Sequence, residues 1–413
     1  MENIYTRCFE IVLNRVQCRL ANIKVNSEEE ALSIIAKEVF EYCRNQPEME
    51  DYHKQRIMIQ KIYFKTRTRL NILQPLIDDN EVTEIMVNGY DQIFYEKNNI
   101  IKRYEMHFDS NDEVVDVMQA IASYVNREVN ELNPILDARL PDGSRVNGVF
   151  SNIAIKGPSM TIRKFTKEVM SVAALIENGT LTNECALLLK VFVKCGYNIF
   201  ISGGTSSGKT TLINALSNYI DKGERVVVIE DSAELKLSSI ENLVQMECRN
   251  SNVLGKGKVT ISDLLKNSLR MRPDRIIVGE VRGEEVFYML QALNTGHSGM
   301  STGHGNSIHG MLKRLETMYL MEASIDIEAI RRQITEAIDI MIHIEKQGKN
   351  RKIVEIAELV GYENDDYILN ILAKQSVNGK VQLVGNDIIQ TRKIALKGEK
   401  YIDELRRIGI GLS

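Results

Sequence analysis

The spacing of hydrophobic residues changes along the chain, and each change predicts a different kind of structure. Near the N-terminus a capping box of Ser27 and Glu30 precedes apolar residues at helical spacing. Further on, short runs such as EIMVNG and QIFYEK alternate at strand spacing around one helical stretch. We therefore predict a helical N-terminal module over residues 1–75 and an α+β N-terminal domain over residues 76–166.

The second half of the chain alternates short apolar strands with amphipathic helices. The strands NIFIS, RVVVIE and RIIVGEV are interleaved with predicted helices over residues 183–195, 209–219 and 284–294. Such alternation predicts an α/β fold, with a mainly parallel sheet and helices on both faces. The remaining boundaries that we predict are a linker over 167–182, the α/β domain over 183–365 and a C-terminal tail over 366–413. The tail is predicted to contain one short strand and one terminal helix, without an assigned role.

Composition narrows the class of protein. With 413 residues, 44% hydrophobic and 26% charged, the chain is predicted to be a folded multidomain protein and not a disordered one. A net charge of -4 provides no general attraction for a polyanion, so no direct nucleic-acid partner is expected. The cysteines include no C-x-x-C pair, and neither a signal peptide nor a membrane-spanning stretch is evident. These features predict a cytoplasmic protein with reduced thiols.

One segment near the N-terminus is rich in basic residues. The run QKIYFKTRTR, residues 60–69, combines basic residues with two aromatic residues. It could face acidic lipid headgroups or a protein partner, but a solvated helix face is the interpretation that we favour.

The most specific motif is GGTSSGKT, between the strand NIFIS and a predicted helix. It matches G-x-x-x-x-G-K-[ST], in which glycines let backbone N–H groups surround phosphates at the positive end of the helix. A glycine-rich turn without a ligand is the alternative, but strand, loop and helix follow in the order that the motif requires. Lys209 would neutralise the β and γ phosphates, and the hydroxyl of Thr210 would bind Mg²⁺. The residues predicted to bind nucleotide are Gly203, Gly204, Thr205, Ser206, Ser207, Gly208, Lys209, Thr210 and Thr211.

Two predicted strands end in carboxylates. Glu280 closes the apolar run RIIVG, and Glu230 with Asp231 follows VVVI. Ligands of α/β sheets bind at the carboxyl ends of strands, so Glu280 could orient or deprotonate water, and Glu230 could hold Mg²⁺ or position water. The two glutamates could also exchange these roles. The alternatives are an exposed strand end for Glu280 and helix capping for the pair Glu230 and Asp231.

Two of the six histidines, His297 and His304, lie in LNTGHSGMSTGHGNS. Surrounded by small residues, either imidazole could reach a γ-phosphate or a neighbouring subunit. A zinc site is disfavoured because no cysteine or third histidine has ligand spacing.

Together with VTEIMVNG (82–89), LDARLPDGSRVNGVF (136–150) and SMTIRKF (159–165), these motifs resemble the secretion ATPases of type II secretion, type IV pili and type IV secretion. The resemblance is strongest to the CpaF-like ATPases of Tad/Flp pilus assembly and covers residues from about 66 to about 361. It implies a RecA-like P-loop NTPase domain that uses ATP and Mg²⁺. It also implies a homohexamer on the cytoplasmic face of the inner membrane, peripheral to platform proteins of a Tad or type II-like system.

The resemblance assigns further roles to individual residues. GGTSSGKT corresponds to the family's Walker A motif, and VVVIEDSAEL corresponds to its aspartate box. RIIVGEVRG corresponds to its Walker B motif, and NTGHSGMSTGH corresponds to its histidine box. By this resemblance, His304 is expected to sense the γ-phosphate. The histidine box is one residue shorter than usual, which leaves His297 without a role. Arg145 and Arg163 match arginines that approach the nucleotide, and Arg139 is a weaker candidate; surface ion pairs are the alternative for each.

The leading functional prediction is an ATPase that powers export of pilin or another protein. A nucleotide-gated scaffold with little turnover and a RecA-like nucleic-acid translocase are the alternatives. The sequence does not distinguish pilin, secreted protein or pseudopilus as cargo.

Overall fold

The computed structural model describes residues 4–413 except 24, 26, 45, 47, 48, 50, 99, 126, 166–169, 250, 252–255 and 349. The chain forms two compact units, Met1–Thr166 and Lys167–Ser413. Each unit has its own buried apolar clusters. Among the described residues, every helix is too short or too polar to span a bilayer.

The first unit begins with three helices: α1 (Ile4–Ala21), α2 (Glu28–Cys43) and α3 (Tyr52–Arg67). The N-terminus of α2 is capped by Ser27, whose hydroxyl accepts a hydrogen bond from the backbone N–H of Glu30 at 3.1 Å. One apolar stripe of each helix is buried in a common cluster that includes Val12, Val16, Ile35, Val39, Met58 and Ile62.

The remainder of this unit is an α+β layer. Its elements are α4 (Gln74–Asp78), β1 (Val82–Asn88), β2 (Ile93–Lys97), β3 (Ile100–Arg103), α5 (Asn111–Tyr124), β4 (Ile135–Arg139), β5 (Arg145–Val149) and β6 (Ser159–Arg163). The strands form an antiparallel sheet in the order β3-β2-β1-β6-β5-β4. Val114 and Met118 of α5 share a buried cluster with alternate strand residues such as Ile85 and Ile162. The sheet therefore buries one face against the helix, which explains the strand spacing of the sequence.

Two lysines of the basic segment at the end of α3 form ion pairs within the first unit. Lys61 is only 6% exposed, and its ammonium lies 2.7 Å from Asp109. Lys65 pairs with Glu113 of α5. A solvated helix face was therefore the wrong interpretation for Lys61, whereas Lys65, Arg67 and Arg69 are exposed as that interpretation expects.

The second unit contains a nine-stranded sheet. Its elements up to the end of β12 are α6 (Val172–Glu177), α7 (Asn183–Lys194), β7 (Ile199–Gly203), α8 (Lys209–Ser217), β8 (Val226–Glu230), β9 (Leu243–Glu247), α9 (Ile261–Ser268), β10 (Arg275–Val281), α10 (Glu285–Asn294), β11 (Ser298–His304), α11 (Ile308–Tyr319), α12 (Ile327–Ala337) and β12 (Ile340–Gln347). They are followed by β13 (Asn350–Glu363), β14 (Asp366–Gln375), β15 (Val381–Leu383), α13 (Arg392–Lys397) and α14 (Glu399–Arg406).

The strand order is β15-β14-β13-β12-β7-β11-β10-β8-β9, and the six strands from β12 to β9 are parallel. Ile199 and Ile201 of β7 share a buried cluster with α7 and α8, whereas Phe200 belongs to the cluster that contains α10, α11 and α12. Helices thus cover both faces, and the α/β prediction is confirmed. Burial on both faces explains why these strands are continuous apolar runs.

The C-terminal residues differ from the prediction of one strand and one helix. Strand β13 extends to Glu363, and β14 and β15 add antiparallel partners before α13 and α14. Leu372 of β14 and Leu405 of α14 are fully buried in the same cluster as α7. The carboxylate of the buried Glu358 accepts hydrogen bonds from backbone N–H groups at residues 389 and 390. Residues 366–413 therefore complete the sheet and core of this unit.

Candidate functional site

The loop between β7 and α8 has a conformation that depends on its glycines. Gly208 caps α8 at a φ of 99°, and Ser206 has a φ of 57°. A Cβ on Gly203 would collide with the carbonyl oxygen of Ile344 and lie 2.6 Å from Oγ of Ser207. Only glycine fits there, so the loop can wrap tightly at the N-terminus of α8. Backbone N–H groups at such a helix start attract anions.

Lys209 lies inside this loop. The residue is 7% exposed, and its ammonium donates hydrogen bonds to the carbonyl oxygens of Gly203 at 3.2 Å and Gly204 at 3.1 Å. Nζ is also 3.3 Å from Nδ1 of His304 and 4.0 Å from Oε1 of Glu280. A buried cation is therefore held at the start of the anion-attracting helix.

The strand order brings Glu280 and His304 to the same edge of the sheet as the loop. His304 is the parallel neighbour of Gly203, and Val281 is the neighbour of Gly303. Nε2 of His304 lies 2.7 Å from Oε1 of Glu280. Three of the predicted site residues, Lys209, Glu280 and His304, thus meet in one cluster.

The surroundings of the His304 imidazole favour its neutral form. Burial lowers its pKa below the ordinary value of 6.5, and the nearby Lys209 ammonium adds to this effect, although Glu280 opposes it. Nδ1 faces the Lys209 ammonium and is the nitrogen placed to accept a hydrogen bond. The ring proton then belongs on Nε2, which faces the Glu280 carboxylate.

Glu280 has a second partner that the sequence analysis did not select. Arg282 donates to Oε2 of Glu280 from Nη2 at 2.7 Å and from Nε at 3.1 Å. The sequence feature that could have indicated this contact is the spacing of Glu280 and Arg282, because residues two apart at a strand end point to the same face. Oε2 of Glu280 is consequently held by Arg282, whereas Oε1 faces His304 without a hydrogen bond among the described residues.

Glu230 is oriented differently from Glu280. It is 4% exposed, and Oε1 accepts hydrogen bonds from the backbone N–H groups of Glu234 at 2.9 Å and Leu235 at 3.0 Å. Its side chain packs over Gly279, where a Cβ would lie 2.9 Å from Cγ of Glu230. Burial raises the pKa of Glu230 to about 7, although the two backbone hydrogen bonds oppose the shift. Glu230 therefore ties the turn after β8 to the strand, whereas Asp231 is exposed.

The raised pKa of Glu230 gives a testable pH dependence. The folded chain holds this proton up to about pH 7, whereas the ordinary pKa is 4.5. Because the unfolded chain loses the proton earlier, the free energy of unfolding falls as pH rises from about 4.5 to about 7 and is then constant. From pH 5 to pH 8 we expect the unfolding free energy of the wild type to fall by about 2 kcal/mol more than that of Glu230→Gln, which has no carboxyl group to titrate at this position. Urea unfolding of both proteins measures this; an equal difference at both pH values would contradict it.

The donor set fits a magnesium ion that binds together with phosphates. The described residues contain no group of three or more His, Cys, Asp or Glu placed to hold a metal ion. Mg²⁺ keeps several waters and needs only one or two protein oxygens beside substrate phosphates. Thr210 follows Lys209 in the first turn of α8. Oγ of Ser207 is buried and has no hydrogen-bond partner within the described part of the chain. The loop therefore has polar groups available for a phosphate–metal complex.

His297 does not join this cluster. Its Nδ1 lies 3.1 Å from the carbonyl oxygen of Ala292 and 3.1 Å from Oγ1 of Thr295, within the turn before β11. His304 is at the other end of that strand. The ordinary rise per strand residue puts the two histidines about 23 Å apart.

The predicted arginines of the first unit lie side by side. Arg145 of β5 is the cross-strand neighbour of Arg163 on β6 and of Arg139 on β4. Directly opposed residues of an antiparallel pair share a face, and like charges there repel each other. Arg139 is partly engaged, because its Nε donates to the carbonyl oxygen of Gly143 at 3.1 Å. The three guanidinium side chains therefore belong to neighbouring positions on one face of the sheet.

Comparisons with known proteins show what this chain is similar to. The family model for Type II/IV secretion system proteins matches residues 66–364. The conjugal transfer protein TrbB of Rhizobium radiobacter is 33% identical over 298 residues, covering 70% of this chain and 88% of TrbB. An uncharacterized protein of Methanocaldococcus jannaschii is 42% identical over 249 residues, covering 58% of this chain. The chain spans about a third of that archaeal relative, since the match covers 34% of it.

One solved structure supports the fold. The X-ray structure of the Legionella pneumophila ATPase DotB matches with a TM-score of 0.51 and 20% sequence identity. The match covers 71% of this chain and 80% of DotB.

Proposed function

The chain belongs to the type II/IV secretion system protein family, and from this premise we propose that it hydrolyses ATP with Mg²⁺ to power a secretion or pilus-assembly machine. The observation that carries the proposal is the cluster of Lys209, His304 and Glu280 at the mouth of the phosphate-binding loop. A cation for the phosphates and a carboxylate that can orient or deprotonate water are groups that phosphoryl transfer to water uses, and the imidazole lies beside both.

Each group has a proposed role. Loop N–H groups and Lys209 hold the β and γ phosphates, while Thr210 would contribute a hydroxyl to Mg²⁺, which would neutralise charge on the phosphates. Glu280 accepts a proton from water as the water oxygen bonds to the γ-phosphorus, and the bond to the β–γ bridging oxygen breaks to release ADP. His304, which lies beside both Lys209 and Glu280, senses the γ-phosphate. The predicted contact between Glu230 and Mg²⁺ remains a prediction, and the amide hydrogen bonds of Glu230 favour Glu280 as the base.

The finer assignment is a homohexameric ATPase of the CpaF-like, Tad/Flp type. It would lie at the cytoplasmic face of the inner membrane, peripheral to platform proteins, and drive export of pilin or another protein. The resemblance of several separate motifs supports this assignment.

The two alternatives are less well supported. The relative TrbB is named for conjugal transfer, which keeps a nucleic-acid translocase as a candidate. The net charge of -4 disfavours it. The presence of both strand-end glutamates and of His304 weighs against a scaffold with little turnover.

The test is phosphate release together with light scattering of the purified protein. We expect ATP turnover with Mg²⁺ and rings of six subunits that form or persist with a non-hydrolysable analogue. Absence of phosphate release would contradict the ATPase, and a monomer at every concentration would contradict the ring. Tight, salt-dependent binding to single strands would instead favour the translocase.

The arginine row gives a prediction about turnover. Arg145→Ala and Arg163→Ala are expected to lower ATP turnover about a hundredfold, because their guanidinium groups would stabilise transition-state charge. Lysine at either position should restore little, since a point charge does not replace the bidentate fork. Steady-state phosphate release and ADP affinity are measured beside Arg103→Ala, which removes an arginine from the edge strand of the same sheet. Unchanged activity in all four variants would make these arginines structural.

A further inference from the structure

The basic residue Arg351 also lies against the phosphate-binding loop. It belongs to β13, within the second unit. Its Nε donates to the carbonyl oxygen of Ser206 at 3.4 Å. A Cβ on Gly208 would lie 3.5 Å from Cγ and 3.7 Å from Cβ of Arg351. The side chain therefore packs along the last turn of the loop.

Arg351 is on the opposite side of the loop from the proposed catalytic groups. The strands that carry His304 and Glu280, β11 and β10, are on one side of β7, and β12 and β13 are on the other. A nucleotide whose γ-phosphate faces Glu280 must extend its α-phosphate and nucleoside away from β10. That direction leads across the start of α8 toward β12 and β13, where Arg351 lies.

The chemistry at this position suits a nucleoside. Cδ1 of Ile344 is 3.6 Å from the same Cβ position on Gly208, so an apolar group adjoins the Arg351 stem. A guanidinium is planar and weakly hydrated, so it can stack on the face of an aromatic base while its edge donates hydrogen bonds. The bond from Nε to Ser206 fixes one edge of that plane.

We propose that Arg351 binds the nucleoside end of the bound nucleotide by stacking on the base. The inference rests on the proposed ATPase function, because it takes the direction of the nucleotide from the position of Glu280. It adds a specificity-determining residue on the side of the loop away from hydrolysis.

The experiment compares two ligands by calorimetry, ADP and inorganic tripolyphosphate, both with Mg²⁺. Arg351→Ala is expected to weaken ADP about tenfold and to leave tripolyphosphate unchanged, because only ADP carries a base. Arg351→Lys should behave like the alanine variant, since it retains charge without a stacking plane. Lys346→Ala is the control: Lys346 is exposed and is the cross-strand neighbour of Arg351, so it removes a charge from the same hairpin.

The outcomes separate this inference from the function beneath it. Equal weakening of ADP and tripolyphosphate would show that Arg351 acts through the loop or the phosphates, which overturns base stacking. Unchanged ADP affinity in Arg351→Ala would overturn any contact with the nucleotide. Failure of the wild type to bind either ligand would overturn the ATPase proposal itself.

Discussion

Lys209→Ala is expected to lower ATP hydrolysis by at least about a thousandfold, the loss that follows removal of a preorganised group facing transition-state charge. The reason is local: the Lys209 ammonium is the cation held inside the loop, 3.2 Å from the Gly203 carbonyl and 4.0 Å from Glu280. Without it, the charge that develops on the β and γ phosphates has no buried counterpart.

Phosphate release and ADP affinity measure this effect, with thermal unfolding as a check on the fold. Lys222→Ala is a matched control, because it removes an exposed lysine shortly after α8. Near-normal hydrolysis by Lys209→Ala would disprove the assignment of the loop. The alanine variant also leaves two loop carbonyls without their donor, so a modest loss of stability is expected.

Glu280→Gln is expected to bind nucleotide normally and to hydrolyse ATP at least about a hundredfold more slowly. An amide keeps the size of the carboxylate and can still accept a hydrogen bond from Arg282, but it cannot take a proton from water. Single-turnover phosphate release and ADP affinity separate the two steps. Glu284→Gln, an exposed glutamate four residues later, controls for loss of a negative charge nearby.

The paired variant Glu230→Gln discriminates between the two strand-end glutamates. Because burial raises its pKa to about 7, Glu230 loses its proton less readily than an ordinary carboxyl group. Its amide analogue can accept the same hydrogen bonds from residues 234 and 235. We therefore expect turnover to change less than about tenfold. A slower Glu230→Gln than Glu280→Gln would reverse the roles of the two residues.

The loop and the fold class were predictable because both have local signals. A strand, a glycine-rich loop and a helix follow one another within about twenty residues, and buried parallel strands appear as apolar runs. The order of strands has no local signal: His304 and Gly203 are neighbours although a hundred residues separate them. The distance between His304 and Glu280 therefore required the structure.

Other features were missed for different physical reasons. The amides that bind Glu230 belong to an irregular turn, whose path no periodicity specifies. Arg351 lies on a strand far along the chain and reaches the loop only through the pairing of β12 with β7. The hairpin between β13 and β14 was also missed, although Asn and Asp tolerate the positive φ that Asn364 and Asp365 adopt in its two-residue turn.

The position of β7 has a consequence for synthesis of the protein. This strand carries the phosphate-binding loop and lies between β11 and β12, and Ser202 bonds to Ile342, 140 residues later. At about 5–20 residues per second, a ribosome needs about 7–28 s to make that stretch. During this time the nascent chain exposes an apolar strand with an incomplete set of neighbours. We expect newly made chains to need a holding chaperone until β12 emerges, and to bind nucleotide only afterwards.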